Sequence, residues 1–161
     1  MVKDNQNLQS HWSNVSQSIE RWLEERRELL AKYCELTEII DVDENAIAHA
    51  EQLEVFCELM VDYVSVGHFE IFDQLHKEGQ LFEDSSGLDK EPNLLEKIQS
   101  TTEYVLDFND KYLSSNDLDA LIIDLASLGE TLAQRFALED TLIDVLHSSH
   151  VTKLLREPKL S

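Results

Sequence analysis

The chain has 161 residues, 42% of them hydrophobic, which suffices for one domain with a substantial core and falls short of two comfortable ones. With 13 lysines and arginines against 33 carboxylates, the formal charge is −20, a field that repels phosphate backbones and anionic membrane surfaces and draws in basic protein surfaces. Direct nucleic-acid binding and membrane association are therefore disfavoured, no run of about 18 apolar residues is present to span a bilayer, and the opening Met1–Asn7 lacks a secretory core, so a cytoplasmic location is expected.

The first predicted helix carries Trp12, Val15, Ile19, Trp22, Leu23, Leu29, Leu30, Tyr33, Leu36 and Ile40, recurring at steps of three, four and seven, a stripe suited to a bundle seam. Asp41–Asn45 ends it, and Asp43 is placed to cap the next helix. That second segment runs from about Glu44 to His76. Leu53, Phe56, Met60, Val64, Gly67, Ile71 and Leu75 form its main stripe, and Val55, Leu59, Asp62, Val66 and Phe69 form a second line beside it. Lys77–Pro92 loses the period and reads as the principal loop, with Pro92 opening helix three. Leu94, Ile98, Val105, Phe108 and Tyr112 mark that helix, Asn116 is the expected cap after it, and Leu121, Leu125, Leu128, Leu132, Phe136, Ile143 and Leu146 make the fourth. The expected fold is all-α, an antiparallel up-and-down four-helix bundle, with short extra helices possible in the loop and at the termini. One domain over 1–161 is expected, with its core at 11–147 and a polar tail at 148–161, where Pro158 opposes further helix.

Charge is distributed unevenly along this pattern. Between Lys32 and Lys77 there is no lysine or arginine, while acids recur from Glu35 to Asp73. Most face water on a helical wheel, but Asp62 interrupts an apolar string and is either paired inside the bundle or available to a partner. Arg26 lies on the seam of the first helix, and Arg135, Glu139 and Asp140 flank Phe136 on the fourth. With Asp62 these charges form a candidate internal network, or part of the set lies at an edge and meets a partner's arginine.

Other chemistry finds little support. Cys34 and Cys57 are far apart in sequence and read as buried reduced thiols. His68 reads as a core or edge histidine bonded to a neighbour. Carboxylate-bridged metal sites in bundles use Glu-x-x-His pairs, whereas Asp73-x-x-His76 and Asp144-x-x-His147 fall near predicted helix ends, so no metal, cofactor or catalytic residue is assigned. No nucleophile elbow or phosphate-binding glycine loop occurs.

Several strings are familiar together: Glu20-Arg21-Trp22-Leu23, Asp62-Tyr63-Val64-Ser65-Val66-Gly67-His68-Phe69, Gly79-Gln80-Leu81, and Arg135-Phe136-Ala137-Leu138-Glu139-Asp140. The chain resembles the Rsd/AlgQ family, regulator of sigma D, which are bacterial anti-sigma factors. The likeness spans roughly Glu20 to Ile143, while the loop at 82–91 and both termini match poorly. The resemblance implies a protein that binds the free primary sigma factor, chiefly its C-terminal promoter-reading helix-turn-helix region, prevents holoenzyme formation and promoter recognition, and so regulates transcription in stationary phase. It also implies Asp62 as the acid for a sigma arginine, with Leu59, Val66 and Phe69 supplying apolar area and Tyr63 and His68 polar contacts. An adaptor linking nutrient signalling to transcription through another partner, and a carboxylate-bridged metalloenzyme on the same bundle, are the alternatives.

Overall fold

A computed structural model describes residues 2–42, 46–114 and 118–156, and among them only 82–84 and residue 147 lie outside a helix. Helix α1 (Val2–Val42) is followed by α2 (Ala46–Val66), a π turn (Gly67–Ile71) and α3 (Phe72–Leu81), which together form one column. Then come α4 (Ser85–Ser114), α5 (Leu118–Leu146), a 3₁₀ turn (Ser148–His150) and the short α6 (Val151–Arg156). The columns run antiparallel: Tyr33 meets Phe56 while the earlier Trp22 meets Tyr63 and Phe72, and Lys111 reaches Asp124 while the earlier Thr101 reaches Arg135. This is the expected four-column, all-α bundle. The expected caps Asp43 and Asn116, and Pro158, lie outside the described residues.

The seam residues close one continuous core around Trp22, Leu29, Leu36, Phe56, Met60, Leu75, Leu128 and Leu132. Each large side chain so buried contributes about 1.5–3 kcal/mol. Cys57 belongs to this core, whereas Cys34 is exposed on α1, contrary to the reading of both thiols as buried.

At the π turn the amide of Phe72 bonds the carbonyl of Gly67, five residues back, so the ladder changes register there. The Trp22 indole packs against this point. A Cβ on Gly67 would come within 2.8 Å of Trp22 Cζ2, which is why glycine is needed. Trp22 Nε1 donates to the Tyr63 carbonyl at 3.0 Å and its ring stacks on the Tyr63 ring at 4.8 Å, tying α1 to the turn of α2 just before the register change.

The segment expected as the principal loop is mostly helix, and its turn is only three residues long. The Glu83 amide bonds the Gln80 carbonyl and the Asp84 amide bonds that of Gly79, the paired closure that ends a helix, with Glu83 at φ 53° in the position usually given to glycine. Asp84 at once begins α4: its backbone oxygen accepts from Leu88 and its carboxylate from Gly87. With the cap placed there, α4 starts about two turns before Pro92, which sits inside the helix.

The stretch expected as a polar tail also folds back at least through α6. His150 and Leu154 are buried, and Lys153 Nζ donates to the Phe82 carbonyl at 2.6 Å, which fastens α6 over the α3–α4 turn. Among the described residues no helix is long and apolar enough to cross a membrane.

Candidate functional site: a buried ion network beneath an acidic face

Four of the five charged residues expected to meet do so at the middle of the bundle. Glu139 on α5 has no exposed surface and receives three donors: the Tyr63 hydroxyl at 2.5 Å and Arg26 Nη2 at 3.1 Å on one oxygen, and Arg135 Nε at 2.9 Å on the other. Arg26 also donates Nε to the Tyr63 hydroxyl at 3.0 Å and Nη1 to Asp140 at 2.8 Å, and its guanidinium lies 4.7 Å from the Phe136 ring centre. Arg135, equally buried, passes Nη1 to the hydroxyls of Thr101 and Thr102 on α4 at 3.0 and 2.6 Å. The network therefore joins α1, α2, α4 and α5 at one level.

Burial raises the Glu139 carboxyl above its ordinary value against the opposing pull of Arg135, Tyr63 and Arg26. Burial and the Glu139 charge push the Tyr63 hydroxyl well above its ordinary 10.0, so it remains a donor to the carboxylate. Tyr63 is a correction to the sequence reading. It is 1% exposed and belongs to the internal network, so it offers a partner nothing directly.

Asp62, the fifth, is excluded from the network because the residue next to Tyr63 on a helix is turned by about 100°. It is exposed, while Leu59 and Val66 are half-buried against the core, and Phe69, in the π turn, is 77% exposed with the His68 ring edge-on against it at 4.8 Å. His68 is thus exposed, neither core nor edge. The charges acting on Glu25 of α1 are Asp62, Glu28 and Glu70, all of one sign. After partial burial, they hold its carboxyl above the ordinary 4.5. Carboxylates from two helices face one another here with nothing of opposite sign among the charges that shift Glu25.

A second polar cluster, at the opposite end from the α1–α2 turn, was not anticipated. Glu78 on α3, fully buried, lies 2.7 Å from His147 Nδ1 and 2.5 Å from His150 Nδ1, while His150 Nε2 meets Asp84 at 2.7 Å. Trp12 stacks on the His147 ring at 4.5 Å and donates to its carbonyl, Ser16 meets His147 Nε2 at 3.2 Å, and Phe82 stacks on His150 at 4.4 Å. A carboxylate oxygen at each ring nitrogen favours the imidazolium form of His150, which can donate at both positions, and against the effect of burial this raises the ring above its ordinary 6.5. The signal was present as the four-residue spacing Leu146, His150, Leu154, which continues the apolar face of α5 past its end.

The histidines of the two metal-like pairs are otherwise engaged: His76 meets Glu91 at 2.7 Å and His147 meets Glu78, while Asp73 pairs with Lys77 at 2.9 Å. Among the described residues no group of three or more metal-binding side chains is arranged to hold an ion.

A helical bundle whose buried carboxylate Glu139 is neutralised from within, and which turns Asp62, Glu25, Glu28 and Glu70 together toward one face, has the makeup of a protein-binding module. The chain belongs to the family described as regulator of RNA polymerase sigma(70) subunit, Rsd/AlgQ, whose model matches residues 1–147. It is 31% identical over 155 residues to the regulator of sigma D of Pectobacterium carotovorum subsp. carotovorum (strain PC1), covering 92% of this chain and 100% of the relative. It is also 31% identical over 150 residues to the regulator of sigma D of Escherichia coli O139:H28 (strain E24377A / ETEC), covering 89% and 92%.

Proposed function

We propose that this chain is a cytoplasmic, single-domain anti-sigma factor. It binds the free primary sigma factor, chiefly the C-terminal helix-turn-helix region that reads promoters, and keeps it from the polymerase core and from DNA, which favours other sigma factors in stationary phase. It acts by stoichiometric binding and carries no catalysis. The observation behind this reading is the one-signed face around Asp62, where the carboxylates of Asp62, Glu28 and Glu70 add to burial in raising Glu25, a mutual repulsion that a cationic partner would relieve. A DNA-reading surface displays arginines and lysines for phosphates and bases, and an acidic face competes for the same side chains. In this reading Asp62 takes a sigma arginine, with Phe69 and His68 at the margin of the contact and Leu59 and Val66 supporting the backbone beneath them.

Titration of full-length primary sigma factor with the wild-type chain and with Asp62→Ala tests it. Because Asp62 is exposed, the substitution leaves the melting temperature unchanged and weakens binding by about 2 kcal/mol, with a smaller salt dependence. Equal affinity for both proteins removes Asp62 from the contact, and no binding by wild type removes the function.

A further inference from the structure

Asp62 stands at the end of a groove. Between α2 and α4 runs a cleft of about 660 Å³, walled by Leu53, Cys57 and Val61 on one side and Asn109, Tyr112 and Leu113 on the other. Glu54 and Glu58 continue its rim along α2 behind Asp62. From Ala50 to Asp62 the α2 wall is about 18 Å long at about 1.5 Å per residue, room for roughly three turns of a second helix.

The floor and the rim differ in chemistry. Cys57 and Tyr112 are buried in the floor, and burial pushes the Cys57 thiol up to about 12, so it remains neutral and apolar there. Leu113, in contrast, is 73% exposed at the lip, an apolar side chain left in water beside three carboxylates. Lys111, the base on α4 nearest this point in sequence, is held by Asp124 of α5 at 2.7 Å, and among the described residues Glu54, Glu58 and Asp62 form no ion pair.

We infer that this α2–α4 groove, lipped by Leu113 and rimmed by Glu54, Glu58 and Asp62, is where the partner inserts an amphipathic helix, its apolar edge on the floor and its arginines or lysines on the rim. This rests on the sigma-binding reading and relocates the apolar part of that contact. Leu59 and Val66 are packed against the chain's own core, so the apolar surface next to Asp62 is Val61 and the α4 wall.

The experiment titrates fluorescently labelled full-length sigma factor with the full-length chain carrying Leu113→Ser, the pair Glu54→Gln and Glu58→Gln, Asp62→Ala, or Phe69→Ala. Leu113→Ser weakens binding by about tenfold or more with an unchanged melting temperature, since the side chain contacts mostly water. The glutamine pair flattens the salt dependence, and Phe69→Ala, off the groove, costs less than Leu113→Ser. Wild-type affinity in Leu113→Ser, within about twofold, together with weakened Asp62→Ala overturns the groove and leaves the functional reading standing. Failure of the wild-type chain to bind sigma overturns both.

Discussion

The molecule contains two buried polar clusters built on the same plan, a carboxylate gripped by nitrogen donors, and they differ in the side chain that donates. At mid-bundle Glu139 is held by Arg26 and Arg135, whose charge is permanent across any physiological pH. At the α3–α4 end Glu78 is held by the imidazoles of His147 and His150, and the charge of His150 depends on pH. The first site fixes the relative height of four helices unconditionally. The second fastens the last helical turns to the rest of the bundle with a strength that depends on protons.

The most severe way to break the central cluster is Glu139→Ala, which leaves two guanidiniums without their shared anion and destabilises the fold by about 3–5 kcal/mol in chemical denaturation. Replacing Arg135 and Glu139 together by Met and Leu recovers most of that loss, because the desolvation cost disappears along with the attraction. Glu78→Ala costs less, about 1–3 kcal/mol, since neutral histidines tolerate burial better than arginine does. It also increases proteolysis near α6, read by limited digestion.

The pH response separates the clusters next. Burial lowers the His150 value, but the hydrogen bonds and charges of Glu78 and Asp84 outweigh it and place it above 6.5. Its stabilising contribution is therefore complete below about 6.5 and is lost as pH rises through the elevated folded value. Despite partial burial, Asp84 lies below its ordinary 3.8, chiefly through the Gly87 amide and His150, so its contribution is present above 3.8 and is lost only in stronger acid. Melting temperatures followed from pH 6 to 9 fall by a few degrees in the wild type, and His150→Gln flattens that slope. A slope unchanged in His150→Gln assigns the pH response elsewhere. Smallest is Glu83→Gly, which relieves a left-handed backbone at the turn below the histidine cluster and stabilises by about 1 kcal/mol in the same assay.

The central cluster was offered by the sequence as one of two readings, because Arg26 sits on an apolar seam and Arg135, Glu139 and Asp140 flank the Phe136 line, where a charge needs a partner. Tyr63 was not, because a tyrosine on such a stripe reads as core or as surface equally well, and only the 2.5 Å contact with Glu139 decides. The helical columns followed from the three- and four-residue rhythm, yet 77–92 read as loop because Gly79, Gly87, Ser85, Ser86 and Pro92 are breakers by composition. Capping by Asp84 overrides that composition, and capping is a matter of geometry between neighbours. The tail failed for a related reason: Ser148 and Ser149 concealed that His150 and Leu154 continue the buried face.

The π turn leaves a trace in the spacing of buried positions. Leu53, Met60 and Gly67 fall seven apart, Leu75 and Phe82 do as well, but Gly67 to Leu75 is a step of eight. One surplus residue is stored in the turn, and the helices on either side keep the orientation they would have without it. Removing His68 would shorten the step to seven and return an ordinary helix with both halves still facing the core. The surplus residue therefore turns Phe69 outward without altering the faces that the helices on either side present to the core.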